Sequence, residues 1–201
     1  MGDVPGHYFS ASPTAASTPR TFELHLPDVS LTLHADSGVF AGSGVDPGTK
    51  ILLLEAPAPP TEGDLLDVGC GYGPIALTLA ARAPGAHVWA VDVNERARAL
   101  CAANAEANGL TNITVAAPDD VPDHVRFAAL WSNPPIRIGK TALHDLLLRW
   151  LGRLTSDGTA ALVVQKHLGA DSLVRWLTEQ GWPTTRRGSR QGYRVLEVRR
   201  G

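Results

Sequence analysis

Strands and helices alternate through most of this chain, and the alternation limits the folds open to it. From residue 61 onward, apolar runs such as DLLDVG (64–69) and HVWAVD (87–92) have the length of buried strands. The stretches between them, such as NERARALCAANAEAN (94–108), carry the start and stop signals of helices. Alternating β and α elements fold into a mostly parallel sheet with helices on both faces. We therefore predict an α/β, doubly wound, mostly parallel sheet.

The two ends of the chain depart from this alternation and predict antiparallel hairpins. RTFELHLPDVSLTLHAD (20–36) alternates apolar and polar residues on both sides of a Pro-Asp turn. A second antiparallel hairpin is predicted for the C-terminal segment TTRRGSRQGYRVLEVR (184–199). The two strands of this hairpin bring the main sheet to seven strands. Asp46 and Pro47, after a glycine-rich loop, fit the N-cap and first position of a short helix.

A chain of 201 residues is most simply one domain, with enough length to bury a core. The segment SASPTAASTP (10–19) is small, polar and broken by prolines, so we expect a flexible tail over 1–19. The remainder, 20–201, is expected to form one domain. The hairpin, loop and short helix occupy 20–60, and the core occupies 61–201.

Composition favours a reduced, soluble protein. No apolar run approaches the ~20 residues of a membrane span, and the N-terminus lacks the features of a secretory signal. Cys70 and Cys101 have neither metal-ligand spacing nor a disulfide framework. We therefore expect a cytoplasmic location, with no membrane partner and no metal.

Charge is divided unevenly along the chain. Residues 1–123 carry 5 Lys/Arg against 15 Asp/Glu, a net charge of −10, whereas residues 124–201 carry 13 against 5, a net charge of +8. Such a division can arise by chance. A basic half is also the electrostatic footprint of a site for a polyanion such as RNA.

A glycine loop follows the first buried strand, in Asp67-Val68-Gly69-Cys70-Gly71-Tyr72-Gly73. Its glycines fall at every second position, unlike the dinucleotide pattern. Asp67 at the strand end would repel a pyrophosphate but suits an ammonium group. Asp92 ends the second strand, 21 residues past Gly71, where an acid accepts hydrogen bonds from a ribose diol. A ligand with an amine and a ribose but no phosphate fits S-adenosylmethionine; the alternative is a plain strand-to-helix turn with an incidental acid.

Two prolines follow an asparagine at the end of the fourth buried strand, in Asn133-Pro134-Pro135. A purine exocyclic amine is a poor nucleophile with two N–H donors, and two fixed acceptors could grip both hydrogens. The Asn133 side-chain oxygen and the Pro134 carbonyl are the candidates. Pro135 restricts the backbone and so preorganises them. The alternative is a strand that simply ends at a proline turn.

Basic residues accompany this triplet. Arg137 and Lys140 follow it directly and are suited to phosphates beside the target, or else only solvate a helix start. Arg186 and Arg187 lie in the last hairpin, where they contact phosphates or merely solvate an edge.

Three segments resemble the motifs of a known family. LLDVGCGYGPIAL (65–77) resembles the first motif of class I S-adenosylmethionine-dependent methyltransferases, VDVNERA (91–97) their second-strand motif, and SNPPIRIGK (132–140) the fourth motif of their amine-directed branch. With DSGVFAGSGVDPGTKILL (36–53), LVVQKHLGA (162–170) and GYRVL (192–196), nearly the whole chain is similar to single-domain relatives of the 16S ribosomal RNA guanine-N2 methyltransferases.

The resemblance implies a Rossmann-like methyltransferase domain with S-adenosylmethionine as cofactor. Phe40 and Thr49 resemble positions that close over the cofactor, and Asp119, after the third strand, could accept from its adenine amine or be a solvated loop acid. At Ile136 many amine-methylating relatives have an aromatic residue that stacks on the base. The residues expected to bind the cofactor are Phe40, Thr49, Asp67, Gly69, Cys70, Gly71, Tyr72, Gly73, Asp92, Val93, Asn94 and Asp119. Those expected at the substrate are Asn133, Pro134 and Pro135 as catalytic residues, with Ile136, Arg137, Lys140, Arg186 and Arg187 around them.

These observations lead to one expected activity and two alternatives. The expected activity is methylation of an exocyclic base amine of RNA, with guanine N2 of small-subunit ribosomal RNA as the target that the resemblance implies. A protein glutamine amide also offers an N–H pair to the same acceptors. The third reading is a non-catalytic S-adenosylmethionine-binding module, although such a module would not need Asn133.

Overall fold

The structure, a computed structural model, describes residues 18–40 and 44–201, and within these the chain forms nine β-strands and five α-helices. The strands are β1 (Arg20–His25), β2 (Ser30–Ala35), β3 (Asp64–Val68), β4 (His87–Val91), β5 (Ile113–Ala116), β6 (Phe127–Ser132), β7 (Leu154–Gln165), β8 (Thr184–Arg190) and β9 (Tyr193–Arg199). The helices are α1 (Pro47–Glu55), α2 (Pro74–Arg82), α3 (Glu95–Ala107), α4 (Lys140–Leu151) and α5 (Ala170–Glu179). Nearly all of the tail expected over 1–19 falls outside the described residues.

Seven strands form one mixed sheet in the order β5-β4-β3-β6-β7-β9-β8. The strands from β5 to β7 run parallel, whereas β9 returns antiparallel to β7, and β8 pairs antiparallel with β9. β1 and β2 form a separate antiparallel pair. The predicted seven-stranded, doubly wound sheet with hairpins at both ends is therefore confirmed. Strand order reverses between β3 and β6, and sheets of this kind bind ligands beyond the carboxyl ends of the strands at that point.

Two apolar layers cover the two faces of the sheet. Because successive side chains on a strand point to opposite faces, Leu65 packs into one layer and Leu66 into the other. The N-terminal hairpin and helices α1, α2 and α3 cover the first face, and α4 and α5 cover the second. Among the described residues, no helix combines the length and apolarity needed to cross a membrane.

A buried asparagine fastens the N-terminal hairpin to the sheet. The Asn104 side chain, fully buried on α3, accepts from the His34 backbone N–H at 2.8 Å and donates to the carbonyl of Tyr72 at 2.8 Å. A buried amide of this kind is stable only when its donors and acceptors are satisfied. The contacts tie β2 and α3 to the glycine loop and so fix the segment that leads into α1.

The sequence pattern places the boundary between α4 and β7 incorrectly. It predicts a helix through Leu154 and a strand from Thr159, but α4 ends at Leu151 and β7 begins at Leu154. The reason is long-range pairing, which local periodicity does not contain. Leu154 pairs with Phe127 at the start of β6, and the register shifts before Ala129 pairs with Thr159.

Candidate active site

A cavity of about 400 Å³ opens at the carboxyl ends of the parallel strands, where the strand order reverses. The glycine loop after β3 and the segment after β4 line one side, and the Asn133–Pro135 turn after β6 lines the other. The sheet topology thus brings together two motifs more than 60 residues apart in the chain. The predicted residues that line the cavity are Phe40, Gly69, Gly71, Asp92, Val93, Asn94, Asn133, Pro134, Pro135, Ile136 and Arg137.

The glycine loop bends sharply against the end of β4. Gly69 and Gly71 have φ of 77° and 56°, values that side-chain-bearing residues rarely adopt. The Gly69 and Cys70 backbone N–H groups donate to the carbonyl of Val91 at 2.8 and 3.0 Å. A Cβ on Gly69 would meet no atom within 4 Å, so the backbone there faces open space. A ligand can therefore approach the main chain closely at this point.

Asp92 holds the loop and still faces the cavity. Its Oδ2 accepts from the Gly71 backbone N–H and its Oδ1 from the Asn94 backbone N–H, both at 2.9 Å. Each carboxylate oxygen has a second lone pair, so Asp92 can accept further hydrogen bonds from a diol. Burial raises the pKa of Asp92, opposed by the two backbone N–H groups. Together with the exposed apolar side chains of Phe40 and Val93 at the rim, this arrangement fits a ribose and an apolar ring system.

Asp67 lies behind the glycine loop. Its side chain is fully buried and does not line the cavity. Oδ2 accepts from the Ala76 backbone N–H in the first turn of α2 at 2.9 Å, while Oδ1 has no hydrogen-bond partner within residues 18–40 and 44–201. Burial raises the pKa of Asp67 well above its ordinary value, and the nearby charge of Asp92 adds to this. The carboxylate thus reaches the cavity only through its effect on the loop, and the ammonium contact expected for Asp67 stays a prediction.

Three other loop residues also lie outside the cavity. Cys70 is buried beneath the loop, and the Tyr72 hydroxyl donates to the carbonyl of Gly44 at 3.2 Å while its ring packs edge-on against Phe22. Gly73 begins α2, and a Cβ there would lie 2.4 Å from Leu77 Cδ1 and 2.8 Å from the thiol of Cys101. These residues shape the loop from behind rather than facing a ligand.

Asn133 is fixed by two residues of the N-terminal segment. Its Nδ2 donates to Asp46 Oδ1 at 2.9 Å and to Thr49 Oγ1 at 3.0 Å. A carboxylate only accepts hydrogen bonds, so the amide atom facing Asp46 must be the nitrogen. The contacts occupy both hydrogens of Nδ2, and no described residue donates to Oδ1, which remains as an acceptor. Thr49, expected at the cofactor, is instead a buried partner of Asn133 outside the cavity lining.

The turn after Asn133 supplies a second acceptor. The Pro134 carbonyl accepts from the Ile136 backbone N–H at 2.8 Å and keeps one lone pair. The preceding strand end is locked because the Ser132 hydroxyl donates to the carbonyl of Val68 on β3 at 2.6 Å. The Asn133–Pro135 turn is therefore held from β3 and from α1, as preorganised acceptors require.

The remaining predicted residues lie away from this cavity. Asp119 is 89% exposed at its side chain and accepts from Arg149 at 2.8 Å, while its neighbour Pro118 lines the cavity. Lys140 is exposed beside a smaller adjoining cavity of about 220 Å³ that shares Ile136 with the first. Arg186 and Arg187 lie on edge strand β8 and line neither of the two cavities.

Arg187 has structural partners of its own. It donates to the carbonyl of Glu55 at 2.9 Å and to Glu197 at 3.1 Å, and so ties β8 to α1 and β9. Glu197 also accepts from Arg199 at 2.7 Å, and these arginine hydrogen bonds lower the pKa of Glu197. Arg186 on the same strand is exposed.

Three polar residues in the cavity were not predicted as site residues. Asp46 was identified only as a helix cap, although its carboxylate also orients Asn133. Gln165 and Tyr193 line the cavity from the ends of β7 and β9. The segments that contain them were noted only for their resemblance to relatives. Among the described residues, no group of three or more His, Cys, Asp or Glu side chains could hold a metal ion, and the absence of a metal requirement stays a prediction.

The strand order, the glycine loop and Asp92 define a class I S-adenosylmethionine-dependent methyltransferase, whose cofactor is S-adenosylmethionine. Residues 30–197 match the family model described as "Methyltransferase small domain". The chain belongs to this family.

Some similar proteins match this chain over nearly their whole length, and others over about half of theirs. The chain is 36% identical over 197 residues to "Uncharacterized protein YbxB" of Bacillus subtilis (strain 168), covering 96% of this chain and 98% of that one. It is 31% identical over 163 residues to the "Ribosomal RNA small subunit methyltransferase C" of Shewanella amazonensis, covering 79% of this chain and 47% of the relative. The chain thus spans about half the length of the relatives that carry the ribosomal RNA name.

The fold also matches a solved structure. The T. Thermophilus 16S rRNA N2 G1207 methyltransferase (RsmC), in complex with AdoMet and guanosine, superposes with a TM-score of 0.76. The match covers 94% of this chain and 52% of that one, at 24% sequence identity. This likeness supports the fold alone.

Proposed function

We propose that this protein transfers a methyl group from S-adenosylmethionine to an exocyclic base amine of RNA, with guanine N2 of small-subunit ribosomal RNA as the substrate. The observation that carries the proposal is the state of Asn133. Both hydrogens of its amide nitrogen are bound by Asp46 and Thr49, so its oxygen is a fixed acceptor, unoccupied by any residue that the structure describes, in the cavity beside the glycine loop. A non-catalytic binding module would have no use for this arrangement.

Asn133 Oδ1 and the Pro134 carbonyl each accept one hydrogen of the substrate amine. Gripping both hydrogens turns the nitrogen lone pair away from the two acceptors and toward the cofactor side of the cavity. Both acceptors are neutral, so they orient the amine without removing its proton. As the N–C bond forms, the S–CH3 bond would break and S-adenosylhomocysteine would leave. The methylated, positively charged nitrogen would then lose one proton to water. Because the turn is held by β3 and α1, positioning carries most of the catalysis.

The opposite side of the cavity holds the cofactor. Asp92 would accept from the ribose hydroxyls, and the bent backbone at Gly69 and Gly71 would let the ligand approach the main chain closely. Phe40 and Val93 at the rim would contact its ring system. When bound, S-adenosylmethionine would supply a methyl group on a positively charged sulfonium, which the carboxylate of Asp92 at the cavity wall would favour.

Three further observations support RNA as the substrate. The uneven charge of the sequence gives residues 124–201, which contain the acceptor turn, a net charge of +8. Arg137 is exposed at the cavity rim, where a cation can meet the phosphate of the target nucleotide. Relatives covering 79% of this chain are ribosomal RNA methyltransferases by name. A ribosomal RNA substrate would agree with the cytoplasmic location expected from the sequence.

The test follows the methyl group. Purified protein is incubated with methyl-labelled S-adenosylmethionine and separate RNA, DNA and protein fractions, alongside Asn133→Ala. We expect label in RNA, and a turnover about 10²–10³-fold lower for Asn133→Ala with cofactor affinity retained. Label in the protein fraction would favour the glutamine-amide alternative, and a variant as active as the wild type would remove Asn133 from the mechanism.

A further inference from the structure

Two polar side chains form a joined pair on the cavity wall. Gln165 ends β7 and Tyr193 begins β9, and the two residues are register partners in the antiparallel ladder. Gln165 Nε2 lies 3.0 Å from the Tyr193 hydroxyl. Both side chains line the cavity and are half-buried, so the hydrogen-bonding groups that the pair leaves unused can be reached from the cavity.

The pair lies one strand across from the acceptor turn. Ser132, next to Asn133, pairs with Leu162 on β7, and Gln165 follows three residues later. Gln165 is therefore displaced from Ser132 by about 5 Å across the sheet and about 10 Å along it. This displacement is on the scale of a purine base and its contacts.

The Tyr193 ring is also fixed relative to Asn133. It packs against Gly48, where a Cβ would lie 2.6 Å from Tyr193 Cε1 and 2.9 Å from Asp46 Oδ1. The same Asp46 oxygen accepts from Asn133. The Asp46 carboxylate thus lies beside both the Tyr193 ring and the Asn133 amide. Both side chains are therefore positioned against the first turn of α1.

The pair presents one donor and one acceptor whichever way the glutamine amide points. If Gln165 donates to the tyrosine oxygen, the Tyr193 hydrogen and Gln165 Oε1 remain for a ligand. If Tyr193 donates to Oε1, the tyrosine oxygen and the amide hydrogens remain. Burial raises the pKa of Tyr193 and the charge of Asp46 adds to this, so the hydroxyl stays protonated.

Among bases that carry an exocyclic amine, guanine alone matches such a pair. Beside its 2-amine it has an N1–H donor and then an O6 acceptor, the two parts of a lactam. Adenine and cytosine have only ring or carbonyl acceptors beside their amines. A buried donor or acceptor left without a partner by the wrong base would weaken its binding.

We infer that Gln165 and Tyr193 recognise the lactam edge of the acceptor guanine, its N1–H and O6, while Asn133 and Pro134 hold the 2-amine. This inference deepens the proposed function and depends on it. It assigns the choice of guanine over other amine-bearing bases to two residues outside the acceptor turn.

Three nucleosides distinguish recognition of the 2-amine from recognition of the lactam edge. Guanosine has both the amine and the lactam, 2-aminopurine riboside has the amine alone, and inosine has the lactam alone. Each is titrated into protein saturated with S-adenosylhomocysteine, with binding followed by ligand-observed NMR. For the wild type we expect guanosine to bind most tightly, with roughly a two- to tenfold loss for each hydrogen bond removed.

Two variants and a matched control assign the preference to the pair. Tyr193→Phe keeps the ring against Gly48 but removes the hydroxyl, and Gln165→Leu removes the amide. Both should reduce the preference for guanosine over 2-aminopurine riboside while leaving the preference for guanosine over inosine. The exposed Gln180→Leu, at the end of α5 and outside both cavities, should change neither preference.

Asn133→Ala should give the opposite result. It should lose the preference for guanosine over inosine and keep the preference for guanosine over 2-aminopurine riboside. Equal binding of guanosine and 2-aminopurine riboside to the wild type would overturn the inference. The inference would also be overturned if Tyr193→Phe and Gln165→Leu, shown by thermal melts to be folded, kept the full preference for guanosine over 2-aminopurine riboside. A protein that reads the lactam but leaves RNA unlabelled would instead count against the proposed function.

Discussion

At the scale of single residues, the site depends on contacts that set the direction of a side chain. Asn133 alone could point its oxygen or its nitrogen into the cavity. Asp46 and Thr49 remove that freedom because both accept from Nδ2. Asp46 also caps α1 through the Thr49 backbone N–H, so the start of the helix and the orientation of Asn133 depend on one carboxylate.

Thr49→Val tests this orientation, since valine keeps the buried volume but removes the hydroxyl that accepts from Asn133. We expect turnover to fall by up to roughly tenfold, the equivalent of one hydrogen bond, with affinity for S-adenosylmethionine unchanged. Thr49→Ser, which retains the hydroxyl, should stay close to the wild type. Single-turnover methylation and calorimetry measure the two quantities. A loss of cofactor affinity in Thr49→Val would instead return Thr49 to the role predicted from the sequence.

Asp67 gives a prediction about pH. Burial raises the pKa of Asp67 in the folded protein above its pKa in the unfolded chain. Its contribution to folding stability is therefore fully present at pH values below the unfolded-chain pKa. That contribution is lost as the pH rises through the raised pKa of the folded protein. Asp67→Asn should therefore raise the melting temperature of the ligand-free protein at neutral pH. The gain should shrink as pH falls toward about 4, near the ordinary pKa of an aspartate. Thermal melts of both proteins across pH measure it, and a variant less stable at neutral pH would contradict the assignment.

At the scale of elements, local signals sufficed for the parts of the site built from neighbouring residues. The glycine loop, the cap at Asp46 and the acid ending β4 could all be predicted, because each is defined by a few consecutive residues. Gln165 and Tyr193 could not, since they meet only when β9 returns antiparallel to β7. The burial of Asp67 behind the loop could not be predicted either, because spacing does not reveal which way a strand-end side chain points.

Gly48 tests the packing between α1 and the end of β9. A Cβ there would lie 2.6 Å from the Tyr193 ring and 2.9 Å from Asp46 Oδ1, with the glycine itself buried. Gly48→Ala should destabilise the fold by about 1–3 kcal/mol in denaturant unfolding, despite the higher helix propensity of alanine. Lys50→Ala, at an exposed position of the same helix, should have little effect. Increased stability in Gly48→Ala would mean that Tyr193 is free to move away.

At the scale of the whole molecule, the charge division follows the two functions of the cavity. The cofactor side is built from β3, β4 and the N-terminal segment, within the half of net charge −10. The acceptor side is built from the turn after β6 and the ends of β7 and β9, within the half of net charge +8. Some of these cations are already used structurally: Arg194 is buried and paired with Asp171, and Arg187 ties down β8.

The cations near the cavity should therefore dominate RNA binding. Arg137→Ala combined with Lys140→Ala should flatten the dependence of log affinity on log salt by up to about 1.4–1.8 units, as expected for two phosphate contacts. Arg175→Ala, exposed on α5 and outside both cavities, should leave the slope unchanged. Filter binding to ribosomal RNA fragments across salt concentrations measures the slopes. Equal slopes for all three proteins would place the RNA elsewhere on the surface.

The most direct test of the proposed activity identifies the methylated nucleoside. Small-subunit ribosomal RNA is reacted with the protein and S-adenosylmethionine, digested to nucleosides and separated by liquid chromatography with mass spectrometry. The proposed contacts of Asn133, Pro134, Gln165 and Tyr193 predict N2-methylguanosine as the product, formed about 10²–10³-fold more slowly when Asn133→Ala replaces the wild type. A methyl group found on adenosine, on cytidine or on a ribose, with no N2-methylguanosine, would contradict the proposal.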